Sequence, residues 1–132
     1  MPLESPLEYL PRSRVAEYEM GQVIYNQNEP PTSIYLVLGG RVKVSSLTSA
    51  GREMLLNICQ IDEFFGESAF LHLPRRPDRA TALEDTTLMT WNASELEELV
   101  MRQPRLGLAF LQMLAQRATE LTRRIGSFRY RG

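Results

Sequence analysis

The sequence holds one cysteine, Cys59, and one histidine, His72, among 132 residues. A single thiol allows no internal disulfide, and an iron–sulfur cluster, which takes about four thiolates, has no ligand set. One histidine falls short of the two or three that zinc sites and metal-dependent enzymes of the cupin type use, so no metal is expected. Long apolar runs are missing too: none approaches the roughly 18 residues of a membrane span. The opening "MPLESPLEYLPRSR" lacks the apolar centre of a signal peptide, which points to a cytoplasmic protein. Charge of one sign is also lacking. With a net charge of −1 and a pI near 5.9, no global field attracts nucleic acid. Only the final "RRIGSFRYRG" is locally basic, with four arginines and no acid. No Walker loop, nucleophile elbow or pair of catalytic carboxylates is present, so the expectation is a protein that is not an enzyme, with no catalytic residues.

What is there is an ordinary globular composition, 43% hydrophobic and 23% charged, on a chain long enough for one core. The first fifteen or so residues, broken by Pro2, Pro6 and Pro11, read as short helix or loop. From Met20 to Trp91 the pattern is β. "QVIYNQ" reads as a strand and "NEPPTS" as a turn. "SIYLVLGGRVKVSS" reads as two strands turning at Gly39-Gly40, "TSAG" as a hairpin loop, and "REMLLNICQI" as a further strand. "DEFFGES" reads as a turn, residues 67 to 72 as a helical turn, and "ATALEDTTLMTWNA" as one or two strands. Many short strands between regular turns predict a β-roll or jelly roll.

After Trp91 the period becomes helical. "NASELEELVMRQ" offers Asn92 or Ser94 as N-cap, and Pro104 suits the first turn of a second helix. On that helix Leu111, Leu114, Ala118, Leu121, Ile125 and Phe128 are spaced in alternating threes and fours, the a/d seam of a paired helix. Its first turns suit packing on the chain's own strands. Farther along, the seam outruns so small a core, and a parallel homodimer is expected. The division is 1–103 for the β-roll with flanking short helices and 104–132 for the long dimerisation helix and basic hinge.

"MGQVIYNQNEPPTSIYLVLGGRVKV", "FFGESAF" and "ATALEDTTLMTW" together resemble the cyclic-nucleotide-binding domain of the CRP/FNR transcription regulators, over about residues 18 to 128. The resemblance implies a double-stranded β-helix, mainly β with α, ending in a long dimerisation helix. It further implies an effector, cAMP, cGMP or a related small molecule, whose occupancy switches DNA binding by a helix-turn-helix domain that these 132 residues do not contain. A free-standing or ligand-free dimerisation module with a degenerate pocket is the alternative.

The family pocket begins with a Gly-Glu pair and a short helix, matched here by Gly66, Glu67, Ser68 and Ala69, and ends with an arginine opening a strand. In it the glutamate accepts from the ribose hydroxyl and the arginine bonds the cyclic phosphate. Counting without gaps from Gly66, or back from "ALED", places Arg76 at the phosphate. Pro77 and Asp78 then follow, one without an N–H and the other repelling an anion. The competing register takes Arg79, Ala80 and Thr81, with about three residues inserted before it and removed after it. Arg117 and Thr122 fall where relatives reach the phosphate and the base, while Leu121 stands where cAMP responders are polar. Glu67 can instead be a surface carboxylate paired with Arg75 or Arg76. The resemblance also offers His72, with Cys59 second, as a haem ligand of the kind gas-sensing relatives of this fold use, but a lone histidine reads more simply as a surface or packing residue. Asn28 and Asp62 replace turn glycines and tolerate a left-handed backbone.

Overall fold

The structure, a computed structural model, describes residues 5–131, with side chains to residue 123. The chain forms two compact units, one spanning Ser13–Glu97 and the other joining the segment before Ser13 to the segment after Glu97.

The first unit contains eight strands: β1 (Arg14–Tyr18), β2 (Val23–Tyr25), β3 (Ser33–Gly39), β4 (Val42–Leu47), β5 (Glu53–Cys59), β6 (Phe64–Phe65), β7 (Arg79–Ala82) and β8 (Thr86–Asn92). They form two four-stranded sheets, β1-β8-β3-β6 and β2-β7-β4-β5. Every pairing is antiparallel, which makes a β-roll. Alternation explains the core between them. On β4, Val42 and Val44 turn inward, and on β7 Ala80 and Ala82 do so. Tyr25, Tyr35, Val37, Cys59, Phe65 and Leu88 complete a cluster with Val42, Val44 and Ala80. Tyr35 and Phe65 stack with ring centroids 4.9 Å apart.

Three expectations need correction. The Gly39-Gly40 link is not a hairpin, because β3 and β4 belong to different sheets. Gly40 turns with φ +85°, where a Cβ would lie 2.5 Å from the Asp85 carbonyl, so the link crosses between sheets against the β7–β8 connection. The "DEFFGES" turn contains β6, whose Phe64 and Phe65 pair with Leu36 and Tyr35. The N-terminal segment already enters the sheet at Arg14, through β1 on β8. Its three proline breaks all lie ahead of that strand. The 48–52 loop is a true hairpin, closed by Thr48 N to Arg52 O at 2.8 Å. Asn28 and Asp62 adopt φ of 78° and 71°, the left-handed region foreseen for them.

The helix α1 (Ala93–Arg102) starts where Asn92 Oδ1 accepts from the Ser94 N–H at 3.0 Å, so Asn92 is the cap. Pro104 opens α2 (Pro104–Arg131), 28 residues and roughly 42 Å long. In the second unit a 3-10 turn, Pro6–Tyr9, packs on α2. Leu106, Ala109 and Phe110 are buried on that helix. Gly107 lets α1 approach, since a Cβ there would stand 2.9 Å from Val100 Cγ1. No helix among the described residues is long and apolar enough to cross a membrane.

Candidate functional site

The segment after β6 turns through Gly66, at φ +84°, into a short 3-10 helix, Glu67–Leu71. A Cβ at Gly66 would lie 3.1 Å from both the Ser33 carbonyl and the Tyr35 ring, so dihedral and packing both ask for glycine. Glu67 and Ser68 are half-buried at the start of the helix. The chain then loops back to β7, and Arg76 lies within that loop.

Arg76 is the central feature. It is 3% exposed. Its Nη1 donates to the Gly66 carbonyl at 2.7 Å and to Ser68 Oγ at 3.1 Å, and its Nη2 donates to the Ser33 carbonyl at 2.6 Å. The guanidinium carbon lies 4.0 Å from the centre of the Tyr25 ring, a cation–π contact worth about 1–2 kcal/mol in so dry a place. Its main chain is tied as well: Arg76 N donates to Glu29 O at 2.7 Å, and Asn28 N donates to Arg76 O at 3.2 Å. One residue thus joins the β2–β3 turn, the start of β3 and the Gly66 turn.

A buried cation calls for negative charge or oxygens around it. The oxygens are the two carbonyls and the hydroxyl. Beyond the Tyr25 ring stands Asp78, half-buried, whose Oδ1 accepts from Tyr25 Oη at 2.9 Å. Burial is the main cause that raises the Asp78 pKa above the usual carboxylate value. The Tyr25 hydrogen bond works against this, the Glu67 charge adds to it, and Arg76 opposes it. Burial, reinforced by Asp78, likewise pushes the Tyr25 phenol well above its ordinary value.

The other arginine goes elsewhere. Arg79 and Thr81 face away from the side of β7 that buries Ala80 and Ala82. Arg79 Nη2 donates to Glu53 Oε2 at 2.8 Å, and Glu53 also accepts from Lys43 at 2.7 Å. These hydrogen bonds, that of Lys43 foremost, hold the Glu53 carboxyl below its usual range. The structure therefore gathers Gly66, Ser68 and Arg76, with Glu67 next to them in sequence. Ala80 goes into the core, and Arg79 belongs to a separate ion cluster.

Arg117 and Thr122 are carried by α2 in the other unit, where the Thr122 hydroxyl donates to the Ala118 carbonyl at 2.9 Å. His72, at φ 54°, meets Glu97 at 2.9 Å and is largely exposed. Among the described residues no group of three or more His, Cys, Asp or Glu is placed to hold a metal ion. Of the seam, Leu111 and Leu121 are 65% and 50% exposed, Ala118 is exposed and Leu114 half-buried. Ile125 and Phe128 lie outside the residues whose side chains are described.

Sequence reasoning missed Tyr25 and Ser33. A buried tyrosine needs a partner for its hydroxyl, but the partner, Asp78, stands 53 positions along the chain. Ser33 contributes only a carbonyl, which no residue type betrays.

As chemistry, this arrangement is a poor anion seat. Both hydrogens of Nη1 and one of Nη2 are committed to protein oxygens. A phosphate that took the Nη1–Nη2 edge would displace the Ser33 carbonyl, at a cost of about 1–3 kcal/mol if it were left unpaired, while the Gly66 carbonyl would keep the Ala69 N–H at 3.1 Å. Pro77 offers no N–H, and Asp78 presents a carboxylate.

Comparison with known proteins agrees with the fold. Residues 15–103 match the cyclic nucleotide-binding domain family. The "CRP-like cAMP-activated global transcriptional regulator" of Mycobacterium tuberculosis is 25% identical over 101 residues, which are 76% of this chain and 45% of that protein. The lysophospholipase nte1 of Neosartorya fischeri is 32% identical over 105 residues, 79% of this chain and 7% of the enzyme. Among solved structures, the catabolite activator protein of Thermus thermophilus superposes with a TM-score of 0.77 at 27% identity, covering 93% of this chain and 56% of that one. The chain spans less than half the length of the regulator it matches.

Proposed function

The chain belongs to the cyclic nucleotide-binding domain family, in the form found in CRP/FNR regulators, and from that premise we propose that it is the effector-sensing and dimerisation part of a transcription regulator. A small effector, cAMP, cGMP or a related molecule, enters the β-roll beside Gly66, Glu67 and Ser68. Its occupancy shifts how two copies of α2 pair, a two-state equilibrium moved by whatever contacts differ between the states. A DNA-binding domain outside this chain reads the change. The role is binding, without catalysis.

The observation that carries this reading is a β-roll joined through α1 to a 28-residue helix bearing exposed Leu111 and Leu121. The test is a gel shift with promoter DNA. The 132-residue chain alone should not retard it, and sequence-specific retardation would move DNA recognition into this domain and end the division of labour.

A further inference from the structure

Resting on that reading of the pocket, we propose that Arg76 is an internal brace of the roll and that the Tyr25–Asp78 pair selects the effector. The pocket then favours a molecule presenting neutral or hydrogen-donating groups toward residue 78 over one presenting an anionic phosphate.

Arg76 is anchored at both ends, its main chain to Asn28 and Glu29 and its guanidinium to Gly66, Ser33 and Ser68. The Tyr25 ring lies 4.0 Å from that guanidinium, and its hydroxyl reaches the other way to Asp78 at 2.9 Å. Tyr25 is 5% exposed and so fixes both partners in place. The order outward is therefore a buried cation, an aromatic ring, and a half-buried carboxylate. Of the three, the carboxylate is the most open to an entering ligand.

Glu67, at the start of the 3-10 helix, adds a second carboxylate whose charge is felt at Asp78. Two carboxylates and a proline in place of N–H donors accept hydrogen bonds and repel anions. Hydroxyls and amines of a nucleoside fit that surface, whereas the oxygens of a cyclic phosphate face the charge of Asp78.

Calorimetry on the full chain tests this with two probes, cAMP and adenosine, of which only the first carries a phosphate. Adenosine should bind about tenfold or more tightly than cAMP. Asp78→Asn keeps an acceptor for the Tyr25 hydroxyl but removes the charge. It should tighten cAMP about tenfold and so remove most of the advantage of adenosine. Arg76→Lys should lower the ligand-free melting temperature by several degrees, a change that an arginine serving only a ligand would not produce. Tighter cAMP than adenosine in the unaltered chain, cAMP affinity indifferent to Asp78→Asn, or an unmoved melting temperature overturns the proposal. Absence of heat with both probes in both chains is a different result: it removes the nucleotide-type pocket itself, and this inference with it.

Discussion

At the scale of single residues, the two arginines that sequence could not separate are told apart by surroundings. Arg76 is buried with three hydrogen bonds and a ring contact, and Arg79 is a part-exposed partner of Glu53. Replacing Arg76 by methionine should therefore destabilise the ligand-free chain by about 3 kcal/mol or more, because it removes charge-assisted bonds and strands buried oxygens. Arg79→Ala should cost no more than about 1 kcal/mol, as part-exposed ion pairs do. Chemical denaturation of both variants checks the contrast, and equal losses would contradict the brace. Counting from "ALED" put Arg76 at a phosphate, and it could not show that the side chain turns inward on protein oxygens. That depends on a carbonyl of Ser33, which sits 43 positions away.

Asp78 adds a pH signature with a definite sign. Its pKa is raised in the folded state, so the folded chain holds the proton more tightly than the unfolded one. This part of the stability is greatest at low pH and falls as pH rises from about 3.9, the unfolded aspartate value, through the raised folded value. Burial is the main cause of the rise; of the charged or titratable groups, Glu67 adds to it and Tyr25 and Arg76 oppose it. Asp78→Asn should abolish the fall, so its advantage over the unaltered chain grows above about pH 4 and then levels off. Melting temperatures across that range report it, and a gap of opposite slope would mean a carboxylate stabilised by its neighbours.

At the scale of elements, strands and helices were legible wherever periodicity and end signals coincided. Pro104 and Asn92 mark helix starts by chemistry that acts within one turn. Gly39-Gly40 misled for an instructive reason: paired glycines announce a turn but not which sheet the chain enters next. The choice is made by Gly40 fitting against Asp85 and Thr86, a long-range fact. β6 escaped notice because two residues cannot show an alternation. Gly66 combines local and distant demands, and Gly66→Ala there should cost about 1–2 kcal/mol from the left-handed backbone alone. The Ser33 carbonyl and Tyr35 ring, each 3.1 Å from the new methyl, should add to that. Denaturant titration of Gly66→Ala beside Gly21→Ala separates the two terms. Gly21 shares the left-handed φ, at +87°, but has nothing within 4 Å of an added Cβ, so the excess at Gly66 measures crowding.

At the scale of the whole molecule, the roll was readable because many weak turn and strand signals agreed. Assembly rests on a single stripe. Leu111 and Leu121 lie ten residues apart on α2 and remain half or more exposed, with Leu108 also 49% exposed. Burying such a leucine stabilises by about 1.5–3 kcal/mol, and a pair of parallel helices buries each seam leucine twice, once per copy. Several such contacts are needed to exceed the roughly 4–15 kcal/mol lost in association, so the stripe works only if its full length is used. Changing Leu111 and Leu121 together to aspartate removes two apolar layers and sets like charges across each. On the proposed pairing of α2 the unaltered chain should sediment as a dimer and the double variant as a monomer in sedimentation velocity, with circular dichroism unchanged. A dimer that survives both substitutions would place the contact on another surface, and the exposed strand β5, with Met54 and Leu55 more than half exposed, would become the next to alter.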